Sequence, residues 1–149
     1  MIWACFSEHH KSDIVFVSMR LNSSACVSLL NEHLSLFLAS DEQPGLIFQQ
    51  DNAPCHRALN TRRWLQDRNI ATMDWPSRSP DLNPIENLWG ILVRAVYASG
   101  RQFSTIAELK AAIKAAWDAV DPAVLKKLIN SMKNRMFELS RAQGGSINY

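Results

Sequence analysis

Short apolar runs, each too brief to form a helix, recur through the first half of the chain and alternate with segments that have helical spacing. Two of them, Ile2 to Phe6 and Ile14 to Val17, flank the polar stretch from Ser7 to Asp13, which predicts a β-hairpin. Further short strands are predicted at Leu46 to Phe48 and at Ile70 to Trp75. This order of elements favours an α/β fold with a mixed sheet flanked by helices.

Two segments of the first half carry apolar residues at helical spacing. The first, Ser23 to Ala39, predicts a helix with Ser23 or Ser24 as its N-cap. Pro44-Gly45 then breaks the pattern. The second segment, Arg57 to Arg68, predicts a helix whose arginines point largely outward.

The C-terminal third is predicted to be helical, after a fixed loop over residues 76–84 that carries three prolines. Asn83-Pro84 should start a helix, because asparagine caps helices well and proline suits the first turn. Two more helices, Thr105 to Val120 and Pro122 to Arg141, each begin with a capping signal. The residues predicted to be buried on these three helices are Ile85, Leu88, Trp89, Leu92, Val96, Ile106, Leu109, Ile113, Ala116, Trp117, Val120, Leu125, Leu128, Ile129, Met132, Met136 and Leu139.

Size and composition predict one domain over residues 1–149. The chain has a mass of 16.9 kDa, is 47% hydrophobic and 20% charged, and shows neither a repeat nor an interdomain linker. No apolar run approaches the roughly 18 residues that a membrane helix needs, so a membrane partner is not expected. The absence of GxSxG, P-loop and GxGxxG motifs argues against serine-elbow hydrolases, phosphate-cradle NTPases and dinucleotide enzymes.

Three cysteines, Cys5, Cys26 and Cys55, are widely spaced and include no CxxC pair. Neither a disulfide framework nor a structural zinc site is therefore predicted. Cys55 and His56 are adjacent, so their side chains are expected to diverge. Reduced thiols in the cytosol or the nucleus fit this usage best.

The net charge of +2 is unevenly distributed along the chain. Residues 1–50 hold 2 basic and 5 acidic side chains, residues 51–86 hold 5 of each, and residues 87–149 hold 9 basic and 4 acidic ones. A basic helical segment is a modest indication of a polyanion partner, although a solvated helix face also explains it. The cations that would contact such a polyanion are Lys110, Lys114, Lys126, Lys127, Lys133 and Arg135.

Two carboxylates are candidates for metal-dependent chemistry. Asp51 comes directly after a predicted buried strand, where α/β proteins place ligand-binding groups, although position alone favours an Asx turn or a cap of the next helix. Glu86 lies in the first turn of the helix after the proline loop, where a capping box with Asn83 is the alternative interpretation. Two carboxylates that converge on divalent metal ions would suit phosphodiester chemistry.

Two long motifs make the chain recognisable: Gln49 to His56 reads QQDNAPCH, and Trp75 to Trp89 reads WPSRSPDLNPIENLW. Together they closely resemble the mariner superfamily of cut-and-paste DNA transposases. Between Asp51 and Glu86 lie 34 residues, the spacing of the branch whose catalytic triad is Asp, Asp and then Glu. The resemblance implies a ribonuclease-H-like fold and a triad of carboxylates that binds two Mg²⁺ or Mn²⁺ ions.

The resemblance also implies roles for individual residues. Asp51 would be the second acid and Glu86 the third, with Asn52 and His56 in supporting roles. The first acid and the central strand that carries it are expected to lie upstream of the segment that resembles Met1 to Ser7. A chain with two of three acids is expected to have little or no activity and exposed sheet edges that favour aggregation.

Partners and location follow from the same resemblance. The expected partners are transposon-end and target DNA, with a second copy of the chain as a possible further partner, and the expected location is the nucleus. The ancestral reaction would be metal-dependent DNA strand cleavage and strand transfer. The alternative is a non-catalytic DNA- or protein-binding remnant of a transposable element, in which the C-terminal cations would contact phosphates.

Overall fold

The computed structural model describes residues 1–18, 21–41, 44–74 and 79–142. The chain divides into two compact units. The first unit holds Met1–Cys5 and Lys11–Asn83, and the second holds Phe6–His10 and the chain from Pro84 onward. The single domain over residues 1–149 stays a prediction.

The predicted hairpin is confirmed in the first unit, with strands shorter than the apolar runs. Strand β1 (Ile2–Trp3) pairs antiparallel with β2 (Val15–Phe16). The pairing continues beyond both strands, because the Val17 N–H donates to the Met1 carbonyl at 2.8 Å. Each strand residue is half-buried, so the hairpin lies between the core of the first unit and solvent.

The first predicted helix is confirmed, but its hydrogen bonding changes along its length. It begins as α1 (Ser23–Leu29), passes through a π-helical segment (Leu30–Leu34) and ends as α2 (Ser35–Ser40). A π-helical segment accommodates an extra residue in one turn. Both of its leucines, Leu30 and Leu34, are only 1% exposed, so the segment still faces the core.

The core of the first unit consists of the predicted stripe of this helix and one leucine from a later helix. Half-buried residues of the hairpin, such as Trp3 and Val15, pack against it together with Phe48. Its buried members are Cys26, Leu29, Leu30, Leu34, Phe37 and Leu65.

The predicted helix from Arg57 to Arg68 is confirmed as α4 (Leu59–Asp67), and a further single-turn helix precedes it. A short α3 (Pro54–Arg57) is separated from α4 (Leu59–Asp67) because Ala58 adopts an extended conformation with ψ 142°. The hydroxyl of Thr61, which is fully buried, donates to the Cys55 carbonyl at 2.7 Å and so ties α4 to α3.

The other two predicted strands are reduced to one parallel bridge between Phe48 and Thr72. The Phe48 N–H donates to the Ala71 carbonyl at 2.7 Å, and the Met73 N–H donates to the Phe48 carbonyl at 3.1 Å. The parallel direction agrees with the mixed sheet that was predicted. Trp75, the last residue of the second predicted strand, lies outside the described residues.

Within the described part of the second unit, the helices after the proline loop are α5 (Pro84–Val96), α6 (Ile106–Asp118), α7 (Pro122–Asn130) and α8 (Met132–Arg141). Helix α5 packs against α6 and α7. The rings of Trp89 and Trp117 lie 5.6 Å apart between their centroids, and Trp117 is only 1% exposed. The helical C-terminal third is therefore confirmed.

Side-chain caps begin several helices. Thr105 caps α6 and Asp121 caps α7, as predicted from the sequence. The cap of α1 is Asn22 rather than Ser23 or Ser24, because the Asn22 side chain accepts a backbone N–H of the first turn.

The prediction of a single last helix is wrong, because α7 ends and α8 begins on either side of Ser131. Ser131 keeps helical backbone angles, with φ −66° and ψ −20°, so the interruption is one residue long. Met136, predicted to be buried, is 52% exposed, whereas Arg135 is 1% exposed. Ile106 is also exposed rather than buried, because it is the first residue of α6 and projects from the helix end.

Across the described residues, the helices are all too short or too polar to cross a bilayer.

Candidate functional site

Asp51 lies where the sequence predicted it, a few residues after the bridge at Phe48 and just before α3. Its side chain is 59% exposed. The carboxylate is therefore reachable from solvent at the end of a short parallel pairing, which is where α/β proteins commonly place ligand-binding groups.

Two hydrogen bonds hold the Asp51 carboxylate, and both end on Oδ1. The Ala53 N–H donates to it at 3.0 Å, and Nδ1 of His56 lies 2.6 Å from it. The first contact is the Asx turn that the sequence offered as an alternative role for Asp51. The second brings Asp51 and His56 together, as the resemblance implied. The Asx turn is therefore present, whereas the metal-binding role of Asp51 stays a prediction.

Helix α3 explains how His56 reaches Asp51. Its single turn, Pro54–Arg57, folds the chain back so that the imidazole returns to the carboxylate and to the Asp51 carbonyl, which lies 3.3 Å from Nδ1. With the proton on Nδ1, the imidazole donates to Asp51 and fixes the orientation of its carboxylate. Among the described residues, the side-chain hydrogen bonds of Asp51 leave Oδ2 as the oxygen that can meet a cation.

Asn52, which lies between Asp51 and His56 in the sequence, is half-buried. Its position directly after Asp51 is consistent with a supporting role, which stays a prediction.

Gln49 is a residue of this region that sequence reasoning did not single out. Its Nε2 donates to the Leu82 carbonyl at 3.2 Å and to Asn83 Oδ1 at 3.5 Å. The segment just before Asp51 is thereby tied to the end of the proline loop, inside the first unit. The signal in the sequence was the polar pair Gln49-Gln50, which follows an apolar run where a strand residue is normally hydrophobic.

Glu86 lies in the first turn of α5 and is exposed. A carboxylate in the first turn of a helix is stabilised by the positive end of the helix dipole. Its neighbour Asn87 has a buried Oδ1 with no hydrogen-bond partner among the described residues. Asp51 belongs to the first unit and Glu86 to the second, so the pairing of the two carboxylates stays a prediction.

The cations predicted to contact DNA fall into two groups. Exposed side chains are Lys110, Lys114, Lys126, Lys127 and Lys133. Two of them form surface ion pairs, Lys114 with Asp118 and Lys126 with Glu8, each at 3.3 Å.

Arg135 is the exception. It is 1% exposed, and its Nε donates to the Ser131 hydroxyl at 2.9 Å. A phosphate contact would require this side chain to leave the interior of its unit. The structure therefore removes Arg135 from the exposed basic surface.

A further cluster went undetected in the sequence. The ligand atoms of Cys26, Cys55 and His56 all lie within 4.8 Å of one another. The expectation that the side chains of Cys55 and His56 diverge is wrong, because the single turn of α3 curls both toward α1. Burial, with the neighbouring Cys55 thiol as a smaller cause, raises the pKa of Cys26 to about 11.

Comparison with known proteins identifies relatives of the whole chain. A family model described as DDE superfamily endonuclease matches residues 1–110. The Tc3 transposase of Caenorhabditis elegans is 46% identical over 149 residues, which are 100% of this chain and 45% of that protein. The Tc1 transposase of the same organism is 32% identical over 100% of this chain and 54% of its own length. The chain thus spans about half the length of these curated relatives.

Solved structures share the fold. The Mos1 transposase catalytic domain, solved with Raltegravir and Mn, superimposes with a TM-score of 0.80 at 18% identity, over 99% of this chain and 82% of that one. The Mos1 mariner paired end complex with Mn gives a TM-score of 0.80 at 20% identity, over 93% of this chain and 41% of that one. The expected ribonuclease-H-like α/β fold is confirmed by this similarity, with its sheet reduced to a hairpin and one bridge in the described residues.

Proposed function

Because the chain belongs to the DDE superfamily endonuclease family, we propose that it is the catalytic portion of a DNA transposase in which Asp51 and Glu86 ligate divalent metal ions. The observation that carries this proposal is the Asp51 carboxylate, which is exposed, follows the Phe48 bridge and is oriented through Oδ1 by Ala53 and His56. The curated relatives that match all of this chain are named as transposases, which supports the same reaction class.

The donor chemistry of the two carboxylates fits Mg²⁺ or Mn²⁺. Both ions are hard and prefer carboxylate and carbonyl oxygens, which Asp51 Oδ2, Glu86 and the unpartnered Asn87 Oδ1 can offer. The similar Mos1 catalytic domain was solved with Mn and with Mg, which supports the same metal class. When bound, a pair of such ions would activate the attacking oxygen and stabilise the leaving oxygen of a phosphodiester.

The residues of this chain contribute positioning. His56 restrains the Asp51 carboxylate to one orientation, which reduces the conformational entropy that is lost when a ligand binds. Glu86 is presented to solvent in the first turn of α5. With Asp51 and Glu86 as the second and third acids of a triad, DNA cleavage by this chain is expected to be far slower than by a complete triad.

DNA binding is assigned to the exposed lysines of the second unit. Each phosphate contact releases counterions, so affinity should fall steeply as salt rises. Transposon-end and target DNA are the proposed ligands, the nucleus is the proposed location, and a second copy of the chain is a proposed partner.

The second candidate function is a non-catalytic DNA-binding remnant. The observation in its favour is that the exposed lysines lie on α6, α7 and α8, whereas Asp51 already has a structural role in its Asx turn. In this case Asp51 serves the loop alone, and DNA binding does not depend on it.

Metal binding by carboxylate variants separates the two functions. The full chain is titrated with Mn²⁺, free Mn²⁺ is followed by electron paramagnetic resonance, and wild type is compared with Asp51→Asn and Glu86→Gln. Each variant should weaken Mn²⁺ binding by about tenfold or more, since each removes an anionic ligand. The matched control is Asp118→Asn, which removes an exposed acid of the second unit that forms an ion pair with Lys114.

DNA binding and nicking are measured on the same variants with a labelled duplex. The proposal expects slow Mg²⁺-dependent nicking in wild type and none in Asp51→Asn. If Asp51→Asn changes neither the Mn²⁺ affinity nor the salt-sensitive DNA binding, the chain is the non-catalytic remnant instead. An efficient nick by the wild-type chain would overturn the expectation of low activity.

A further inference from the structure

Cys26, Cys55 and His56 form a set of metal-ligating groups that the proposed reaction does not use as a set. Their ligand atoms lie within 4.8 Å of one another, all in the first unit. Cys26 is 1% exposed on α1, whereas Cys55 and the imidazole are half-buried on α3. The cluster therefore has a buried floor and an accessible side, which gives an ion a path of entry.

Its dimensions suit a tetrahedral site. With Zn–S distances of about 2.3 Å, two sulfurs of a tetrahedral zinc site lie about 3.8 Å apart. The three ligand atoms are already within about 1 Å of that spacing. Rotation of the side chains within their rotamer wells can close such a gap without movement of the helices.

Thr61 holds the two helices that carry the ligands. Its buried hydroxyl donates to the Cys55 carbonyl at 2.7 Å and also contacts the Cys26 thiol. Helix α1 packs against both α3 and α4, so the backbone under the cluster is fixed by helix packing. A site whose ligands come from packed helices is preorganised, which favours ion binding.

We propose that Cys26, Cys55 and His56 bind a thiophilic divalent cation of the Zn²⁺ class, with the fourth position open to water. Binding converts two thiols and one imidazole into two thiolate ligands and one nitrogen ligand, and it releases two protons to solvent. The three-ligand set with one open position is one that zinc adopts in proteins.

His56 couples this site to Asp51. An imidazole has two nitrogens, so it can ligate the ion through one and contact a carboxylate through the other, as metal-ligating histidines commonly do. Sulfur and nitrogen ligands select Zn²⁺ over Mg²⁺, whereas the oxygens of Asp51 select Mg²⁺. The cluster is thus a separate site whose occupancy restrains the residue that orients Asp51.

Cobalt substitution tests the site without reference to DNA cleavage. The reduced full chain is titrated with Co²⁺, and absorbance is followed in the near-ultraviolet, where thiolate-to-cobalt charge transfer occurs, and in the visible, where tetrahedral Co²⁺ absorbs. One equivalent should develop both bands, and Zn²⁺ should displace them. A titration without charge-transfer absorbance would overturn the proposal.

Variants assign the ligands. Cys26→Ala and Cys55→Ala should each remove most of the charge-transfer band and weaken Zn²⁺ binding by at least about 100-fold, because a thiolate is a principal ligand. Cys5→Ala is the matched control, since Cys5 is a half-buried cysteine of the same unit outside the cluster, and its spectrum should equal wild type. If Cys26→Ala unfolds the chain, the test rests on Cys55→Ala, because Cys55 is more exposed and its loss is less disruptive. Bands that persist in Cys55→Ala, or that disappear equally in Cys5→Ala, would contradict the site.

Discussion

The two units of this protein obtain their order in different ways. In the second unit, α6 and α7 begin at side-chain caps and the helices bury regular stripes. At the start of α6 the Glu108 N–H donates to the Thr105 hydroxyl, and the Glu108 carboxylate accepts the Ser104 N–H. In the first unit, the regular pairings are a two-residue hairpin and one bridge, and a π-helical segment interrupts the long helix. Local signals therefore specify the second unit, whereas contacts between distant segments specify the first.

The candidate functional groups follow the same division. Asp51, in the first unit, has a carboxylate whose orientation is set by a turn and by His56. Glu86, in the second unit, is exposed at a helix start, where the dipole acts on any carboxylate. The candidate carboxylate of the first unit is therefore oriented by specific hydrogen-bond partners, whereas that of the second unit is defined by its position along a helix.

The largest expected effect tests the core of the second unit. Trp117→Ala should lower the free energy of unfolding by about 3–5 kcal/mol, because it leaves a cavity against Trp89. Urea denaturation measures the loss, and hydrogen exchange should rise first in peptides of the second unit. Phe137→Ala is the matched control, since this side chain is 63% exposed, and it should change stability by less than about 0.5 kcal/mol. Equal losses in both variants would contradict the assigned core.

Thr61→Val should have the next largest effect on stability, and this effect should be confined to the first unit. The substitution keeps the shape but leaves the Cys55 carbonyl without its buried donor, at a cost of about 1–3 kcal/mol. Hydrogen exchange should rise in peptides that contain α3 and α4. Thr61→Ser keeps the hydroxyl and should retain most of the stability, and a serine variant as unstable as the valine one would show that packing dominates.

Alkaline pH should destabilise the first unit more than the second, because all three cysteines lie in the first. Burial raises the pKa of Cys5 to about 12 and the pKa of Cys26 to about 11 from an ordinary value of 9.0. The unfolded thiols lose their protons first, so their stabilisation is complete below pH 9 and is lost as pH rises toward 11 and 12.

At pH 10 the loss should be about 1.4 kcal/mol for each thiol, measured as the difference in the free energy of unfolding between pH 7.5 and pH 10. Hydrogen exchange corrected for its own pH dependence should locate it in the first unit. Cys5→Ala should make the decline shallower. A decline of the same slope in the variant would show that other groups cause it.

Helix caps should give the smallest effects, and similar ones in both units. Asn22→Ala and Thr105→Ala should each cost about 1 kcal/mol, because each leaves a first-turn N–H without its acceptor. Thermal unfolding measures both. Asn22→Ser restores a capping oxygen and should recover part of the loss, whereas a serine variant no better than alanine would argue that Asn22 acts through another contact.

Helix positions were largely predictable from the sequence, and the places where the prediction failed are informative. The stripe of α5 and the caps of α6 and α7 were predicted, because an α-helix is encoded by residues a few positions apart. The break at Ser131 was missed, since helix-forming residues continue through it. On α8, Arg135 is buried and Met136 is exposed, which reverses the predicted exposure of both.

The candidate site was partly predictable. Asp51, Asn52, His56 and Glu86 were singled out by position and by resemblance, and the contact between Asp51 and His56 is present. Gln49 was missed because its partners, Leu82 and Asn83, are far along the chain. No periodic pattern encodes such a contact.

The sequence by itself determined the helices, their caps and the motifs that place the chain among DDE superfamily endonucleases. These features depend on neighbours within a turn or on residue identity at fixed spacing. Only the tertiary structure decided that Phe48 pairs with Thr72, that Arg135 is buried and that Cys26 meets Cys55 and His56. The physical reason is that such contacts join segments far apart in the chain, and packing alone selects them.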